Sequence, residues 1–283
     1  MLSLLFKCWG RLPLPLLHGL GRALGHILFL TMPKAKQLAA ENIKQSQLSS
    51  GAIKKAVRQN FINLGELVLE TPYIWQADKK EINKIIQSTT GRGVVDAAIA
   101  ANKGIIFLTP HMGCFEITFH YCALHCPVSA LYRPPKMEWL LPFIIKGRVS
   151  SSLELAEANS SGVRTLLKAL KKGEAIGILP DQVPNSGEGE WANFFNQPAY
   201  SMTLASKLAK KTGATIIMMY GERLAKGKGY IVHFSKVDSI NTPALLNKAI
   251  EKQIQQRPEQ YNWHYHRYKV RRKAKEKLPQ ENA

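Results

Sequence analysis

Between residues 94 and 237 the chain alternates short, continuous apolar runs with longer stretches in which apolar residues return every three or four positions. The first texture belongs to buried strands and the second to amphipathic helices. Residues 104–109, 128–132, 175–179, 214–221 and 230–237 read as strands. Residues 94–102, 113–126, 161–173 and 200–211 read as helices, and Thr242-Pro-Ala opens a last long one. Lys226-Gly-Lys-Gly229 reads as a hairpin turn, and residues 181–197 as a polar loop of unusual length. Such alternation predicts an α/β fold, an open mixed sheet flanked by helices.

Upstream the texture is helical. Residues 34–48 form one amphipathic stretch, Ser49-Ser50 offers a cap, and Ile53, Val57, Phe61, Leu64 and Val68 step along a second. Residues 1–40 carry no Asp or Glu, five Lys or Arg, and an apolar run from Leu12 to Leu30. Within that run His18, Arg22 and His26 recur every four residues, so they share one narrow stripe of a helix. A spanning helix would have to hide the stripe in a bundle. A helix lying at the interface can leave it among lipid phosphates while its leucines enter the acyl region, which costs less. Pro13 and Pro15 interrupt the smooth core a signal peptide needs, although Ala23-Leu-Gly25 is a passable cleavage site. A buried helix is disfavoured because no acid in this segment pairs with the stripe. The chain is therefore expected to divide into a membrane-associating helix over residues 1–32 and a single domain over 33–283. That domain comprises a helical part to residue 90, an α/β core over 91–263 and a basic tail over 264–283.

Charge adds a partner to this picture. Of 283 residues 39 are Lys or Arg against 20 Asp or Glu, a net charge of +19, which selects an anionic partner: nucleic acid, an anionic membrane or an acidic carrier protein. A composition 45% hydrophobic and 21% charged is that of a globular chain, and it contains no eighteen uninterrupted apolar residues for a simple span. Four cysteines without a CxxC pair point to a reducing compartment.

The segment richest in chemistry is Thr109-Pro-His-Met-Gly-Cys-Phe-Glu116, at a predicted strand-to-helix junction where open α/β sheets bind ligands. In one continuous helix His111 and Glu116 would point about 140° apart. Pro110 and Gly113 instead let His111 fall in the loop with Glu116 in the first helical turn. From there a carboxylate could hold one ring nitrogen and leave the other to take a proton from an alcohol, as a general base does. A helix-capping histidine, with Glu116 favoured by the helix dipole, accounts for the same spacing. No metal is expected: His111, Cys114, His120, Cys122, His125 and Cys126 lack CxxC or HxxxH spacing. No hydrolase nucleophile elbow GxSxG is present, and no cofactor is expected, since the nucleotide loop GxxxxGK[ST] is absent and Gly91-Arg-Gly93 lacks a third glycine. A base without a protein nucleophile suggests direct attack by a substrate hydroxyl.

The ordered set His111-x4-Glu116, Tyr132-Arg-Pro134, Gly162-Val-Arg164, Leu170-Lys-Lys-Gly-Glu174, Leu179-Pro-Asp-Gln182 and Pro258-Glu-Gln-Tyr-Asn-Trp263, followed by Arg267 and Lys269, resembles the late acyltransferases of lipid A biosynthesis over nearly the whole chain. The resemblance implies a glycerolipid-acyltransferase-like fold at the cytoplasmic face of a bacterial inner membrane. It implies transfer of an acyl chain from an acyl carrier protein thioester to a hydroxyl of a phosphorylated glycolipid, the lipid A precursor. His111 matches the family's base and Glu116 its partner. Arg133 matches an arginine near the reaction centre, and Arg164, Asp181 and Gln182 match further substrate-binding positions. Cys114-Phe115 stands where many members have Asn-Trp, which leaves the acceptor open. The alternatives are acyl transfer to another membrane lipid of the lysophospholipid type and, from a different class, a basic nucleic-acid-binding protein, for which no binding module is recognisable.

Overall fold

Nine strands and eleven helices, numbered along the chain, make up the computed structural model, which describes residues 2–48 and 53–270. The strands are β1 Ile86–Thr90, β2 Ile105–Leu108, β3 Val128–Tyr132, β4 Leu153–Glu157, β5 Ala175–Ile178, β6 Gly189–Phe194, β7 Gln197–Met202, β8 Thr215–Arg223 and β9 Tyr230–Val237. The helices are α1 Leu2–Trp9, α2 Leu14–Thr31, α3 Pro33–Ser46, α4 Ile53–Ile74, α5 Lys79–Ile85, α6 Arg92–Ala101, α7 Phe115–Cys122, α8 Leu141–Arg148, α9 Ser160–Lys171, α10 Leu204–Thr212 and α11 Pro243–Ile254. The main sheet runs β1-β9-β8-β2-β5-β3-β4, parallel at every pairing except the antiparallel β8–β9 hairpin. It is the expected mixed α/β sheet. Central strands β2 and β5, Ile-Ile-Phe-Leu and Ala-Ile-Gly-Ile, are buried at every position because helices cover both faces. Each large side chain buried there contributes about 1.5–3 kcal/mol. The helices are capped as their sequences dictate: Asn159 accepts from the Gly162 N–H, and Thr242 from the Leu245 N–H ahead of Pro243.

Strands 128–132 and 230–237 occur where the apolar runs place them. The long loop does not. Its second half is strand β6, paired antiparallel with β7 through Phe195 and Asn196, whose φ values of 45° and 63° make a tight two-residue turn. Without a glycine at that turn the hairpin carries no strong sequence signal, and its pairing claims Tyr200–Met202, so the following helix starts only at Leu204. Strands β1 and β4 lie at the sheet edges, where half-exposed polar residues conceal the strand pattern. Ser49-Ser50 and the tail beyond residue 270 lie outside the described residues. Within 264–270 the chain is not a solvated tail: Arg267 is 3% exposed and donates to the Tyr200 carbonyl at 2.9 Å and Ser201 Oγ at 2.7 Å.

The basic stripe of α2 is turned the other way from the sequence expectation. α2 lies along α4, close enough that a Cβ on Gly21 would sit 2.6 Å from Glu66 Cα and one on Gly25 2.5 Å from Ile62 Cα. That approach buries His18, whose Nε2 lies 2.8 Å from Glu70 Oε2, and brings Arg22 to 3.7 Å from Glu66. The acids missing from the segment itself come from α4, some fifty residues on. The opposite face of α2 is apolar and exposed at Leu16, Leu20, Ile27 and Leu30, which fall within about 80° of one another around the helix. No helix among the described residues is long and apolar enough to cross a membrane.

Candidate active site

Because strands β2 to β5 run parallel, the loops at their carboxyl ends gather on one sheet edge, the usual place for a ligand crevice. His111 follows β2, Arg133 follows β3, Asn159 follows β4 and Asp181 follows β5. His111, Arg133 and Asn159 line a cavity of about 650 Å³, a size typical of small-ligand sites, and Asp181 lies buried behind His111. The cavity walls are apolar at Phe115, Leu131, Val163, Leu179, Met202 and Leu204, and polar at His111, Gln182, Arg133, Arg148 and Lys207.

His111 sits in the loop before α7, with Glu116 in the first turn of that helix. The carboxylate on the imidazole, however, is Asp181 and not Glu116. Asp181 Oδ1 lies 2.8 Å from His111 Nδ1, and its Oδ2 accepts the His111 backbone N–H at 3.0 Å. Asp181 is 2% exposed. Burial alone would raise its carboxyl, but the adjacent imidazole and these hydrogen bonds outweigh it and hold Asp181 below the ordinary carboxylate range. An ionised Asp181 accepts Nδ1–H, which leaves Nε2 as the acceptor nitrogen, 3.1 Å from the Gln182 side-chain nitrogen. The phenyl ring of Phe115 meets the imidazole edge-on at 4.9 Å between centroids.

Glu116 points away from His111 because the first turn of α7 directs it toward α4 and α8. There Trp75 Nε1 donates to its Oε2 at 2.9 Å, and Arg148 grips both oxygens, Nε at 2.9 Å and Nη2 on Oε1. Burial works to raise the Glu116 carboxyl, yet Arg148 and Trp75 hold it below its ordinary value. The Arg148 guanidinium also lies over the Trp75 ring at 5.6 Å and faces the cavity. Nothing in the sequence marks Arg148 or Trp75, since a lone Lys-Gly-Arg at a helix end and a Trp after a helical stretch carry no motif. Arg133 reaches the cavity with its side chain 43% exposed and 3.8 Å from Glu188. Arg164 is exposed on α9 and does not line the cavity.

The loop itself is fixed by the Pro258–Trp263 segment. Asn262 N–H donates to the His111 carbonyl at 3.0 Å, Gly113 N–H to the Gln260 carbonyl at 2.9 Å, and Cys114 N–H to the Gly221 carbonyl at 2.9 Å. Gly113 adopts a φ of +56° while its N–H and Cα are pressed against this segment and β8, where a Cβ would strike the Gly221 carbonyl.

Two further histidines near the site are partly buried. Burial pushes His120 down to about 4, and burial with the neighbouring His111 pushes His264 down to about 4, from 6.5. Between those values the unfolded chain holds protons the folded one refuses, so acidification favours unfolding. The melting temperature is expected to fall steadily as pH drops from 7 toward 4, and His120→Gln to flatten that slope. Calorimetry across the range checks both.

The family model of the bacterial lipid A biosynthesis acyltransferases matches residues 2–270. A lipid A biosynthesis palmitoleoyltransferase of Escherichia coli is 28% identical over 275 residues, spanning 93% of this chain and 88% of that protein. A lauroyltransferase of the same organism is 26% identical, over 92% and 88% respectively. A lipid A biosynthesis acyltransferase of Haemophilus influenzae is 25% identical, over 92% and 86%.

Proposed function

The chain belongs to the family of bacterial lipid A biosynthesis acyltransferases, and from that premise we propose that it moves a fatty acyl chain from an acyl carrier protein thioester to a hydroxyl of a lipid A precursor, with His111 as general base oriented by Asp181. The observation that carries this reading is His111, paired with Asp181, opening onto a cavity with one apolar wall and basic side chains. The acceptor hydroxyl approaches Nε2, taking the place of the Gln182 amide, and loses its proton to the imidazole as its oxygen attacks the thioester carbonyl. The tetrahedral intermediate collapses by breaking the C–S bond, and the imidazolium returns the proton to the departing thiolate. Positive charge on the wall of the same cavity stabilises the oxyanion or holds an acceptor phosphate. Arg148, locked by Glu116, is better ordered for that than the half-exposed Arg133.

The apolar wall suits an acyl chain. Helices α9 and α10 begin at the cavity wall, and along them Arg164, Lys168, Lys171, Lys207, Lys210 and Lys211 are exposed, a basic surface that suits an acidic carrier. The outer stripe of α2, together with exposed Met137, Trp139 and Ile145 around α8, suits the anionic lipid of the inner-membrane cytoplasmic face. Leu20→Glu with Ile27→Glu is expected to release the protein from anionic vesicles while leaving turnover on detergent-dispersed acceptor unchanged; flotation and rate assays check this. The activity is tested by mass spectrometry of lipid A from cells with and without the protein. One acyl chain gained with the protein supports the reading, whereas unchanged lipid A and an altered phospholipid profile would direct it to another acceptor.

A further inference from the structure

Behind the catalytic loop lies a buried set of charged side chains that the proposed chemistry does not use. Arg223, its side chain 3% exposed, donates Nε to Glu70 Oε2 at 2.8 Å and Nη2 to Glu70 Oε1. Its Nη2 also reaches the Gly113 carbonyl at 3.2 Å. Glu70, fully buried, further accepts the Tyr230 hydroxyl at 2.8 Å and faces His18 Nε2 at 2.8 Å. Gln260 ties the backbone of Arg223 to the same loop, accepting its N–H at 2.9 Å and donating to its carbonyl at 3.0 Å.

We infer that Arg223 is a positioning residue for the loop that carries His111, held by Glu70 and His18, so that helix α2 acts on the active site through a continuous chain of contacts. The inference rests on the reading of His111 as the base. A buried ion pair of this kind stabilises little relative to an apolar filling of the same shape. This one is not even saturated, since Arg223 Nη1 and His18 Nδ1 lack hydrogen-bond partners. What it supplies is direction. A lysine would preserve the charge opposite Glu70, but its ammonium ends one bond short of Nη2, the atom that serves both Glu70 and the Gly113 carbonyl, and it loses the parallel bond from Nε that aims Nη2 there. Gly113 lies two residues from His111, so rotation of its peptide swings the imidazole relative to Asp181. Displacements of that order, about 1 Å, cost roughly 100-fold in rate.

The test uses the full chain in detergent with four variants: Arg223→Lys, His18→Gln, His18→Leu and His111→Ala. Steady-state kcat and KM are measured separately, and amide hydrogen exchange is followed by mass spectrometry. Arg223→Lys is expected to lower kcat by about 10- to 100-fold with KM nearly unchanged, and to quicken exchange over residues 109–117 while β3 and β4 keep wild-type rates. His18→Leu is expected to act in the same direction more weakly, and His18→Gln, which keeps a donor toward Glu70, to restore kcat. Should Arg223→Lys fail to fold, the His18 pair carries the same comparison. Wild-type kcat in Arg223→Lys, equal kcat in the two His18 variants, or exchange quickened uniformly across the chain would overturn the positioning role. Near-normal turnover in His111→Ala would overturn the base assignment instead, and the exchange data would still report separately on whether Arg223 orders the loop.

Discussion

His111→Ala is expected to reduce acyl transfer by about 10²- to 10⁴-fold with the fold intact, because the side chain is 19% exposed at a cavity wall and Asp181 keeps its hydrogen bond from the residue-111 backbone N–H. Asp181→Asn is expected to approach the same loss by a different route. An amide in place of the carboxylate can present N–H to Nδ1, which would favour the tautomer with its proton on Nε2, the nitrogen that must accept. It also leaves the His111 backbone N–H with a weaker acceptor. Purified variants with native-like circular dichroism, assayed for initial rate on an acyl carrier protein thioester and a phosphorylated acceptor, decide the matter. Near-normal turnover in Asp181→Asn alongside an inactive His111→Ala would leave His111 as base and deprive Asp181 of its orienting role.

How far this site could be read from sequence depends on the separation of its parts. His111 in a loop with Glu116 in the next helical turn is local, set by Pro110 and Gly113, and the structure has that arrangement. What the carboxylate does is not local. Two acids lie near His111 in the fold, one five residues along and one seventy, and only the path of β5 beside β2 puts the distant one on the imidazole. The same blindness reversed α2. Its basic stripe needs partners, the nearest acids in sequence are absent, and Glu66 and Glu70 arrive only because small residues let α4 approach. Strand positions with apolar runs on both faces were legible, whereas the edge strands and the β6–β7 hairpin, which depend on pairing more than on burial, were not.

Glu116 and Arg148 are expected to behave as one unit in stability, and Glu116 and His111 as two. The Glu116 carboxylate is 6% exposed and is gripped by Arg148 and Trp75. Arg148→Ala therefore strands a buried charge, a change that typically costs about 3–5 kcal/mol. Glu116→Gln combined with Arg148→Met removes both charges and is expected to cost markedly less than the two single changes added together. His111→Ala shares no hydrogen bond with Glu116→Gln, so that pair is expected to add within about 0.5 kcal/mol. Denaturant unfolding of the two double-mutant cycles gives both coupling terms. If Glu116 instead served the imidazole, the larger coupling would appear in the His111 cycle. Rates on the same variants then separate scaffold from chemistry. Arg148→Lys keeps a charge for Glu116 but loses the planar fork that faces the cavity. It is expected to lower kcat/KM by more than its loss of stability explains, the residue of a positive group aimed where negative charge develops. An Arg148→Lys enzyme as active as wild type would confine the arginine to holding α8 against α7.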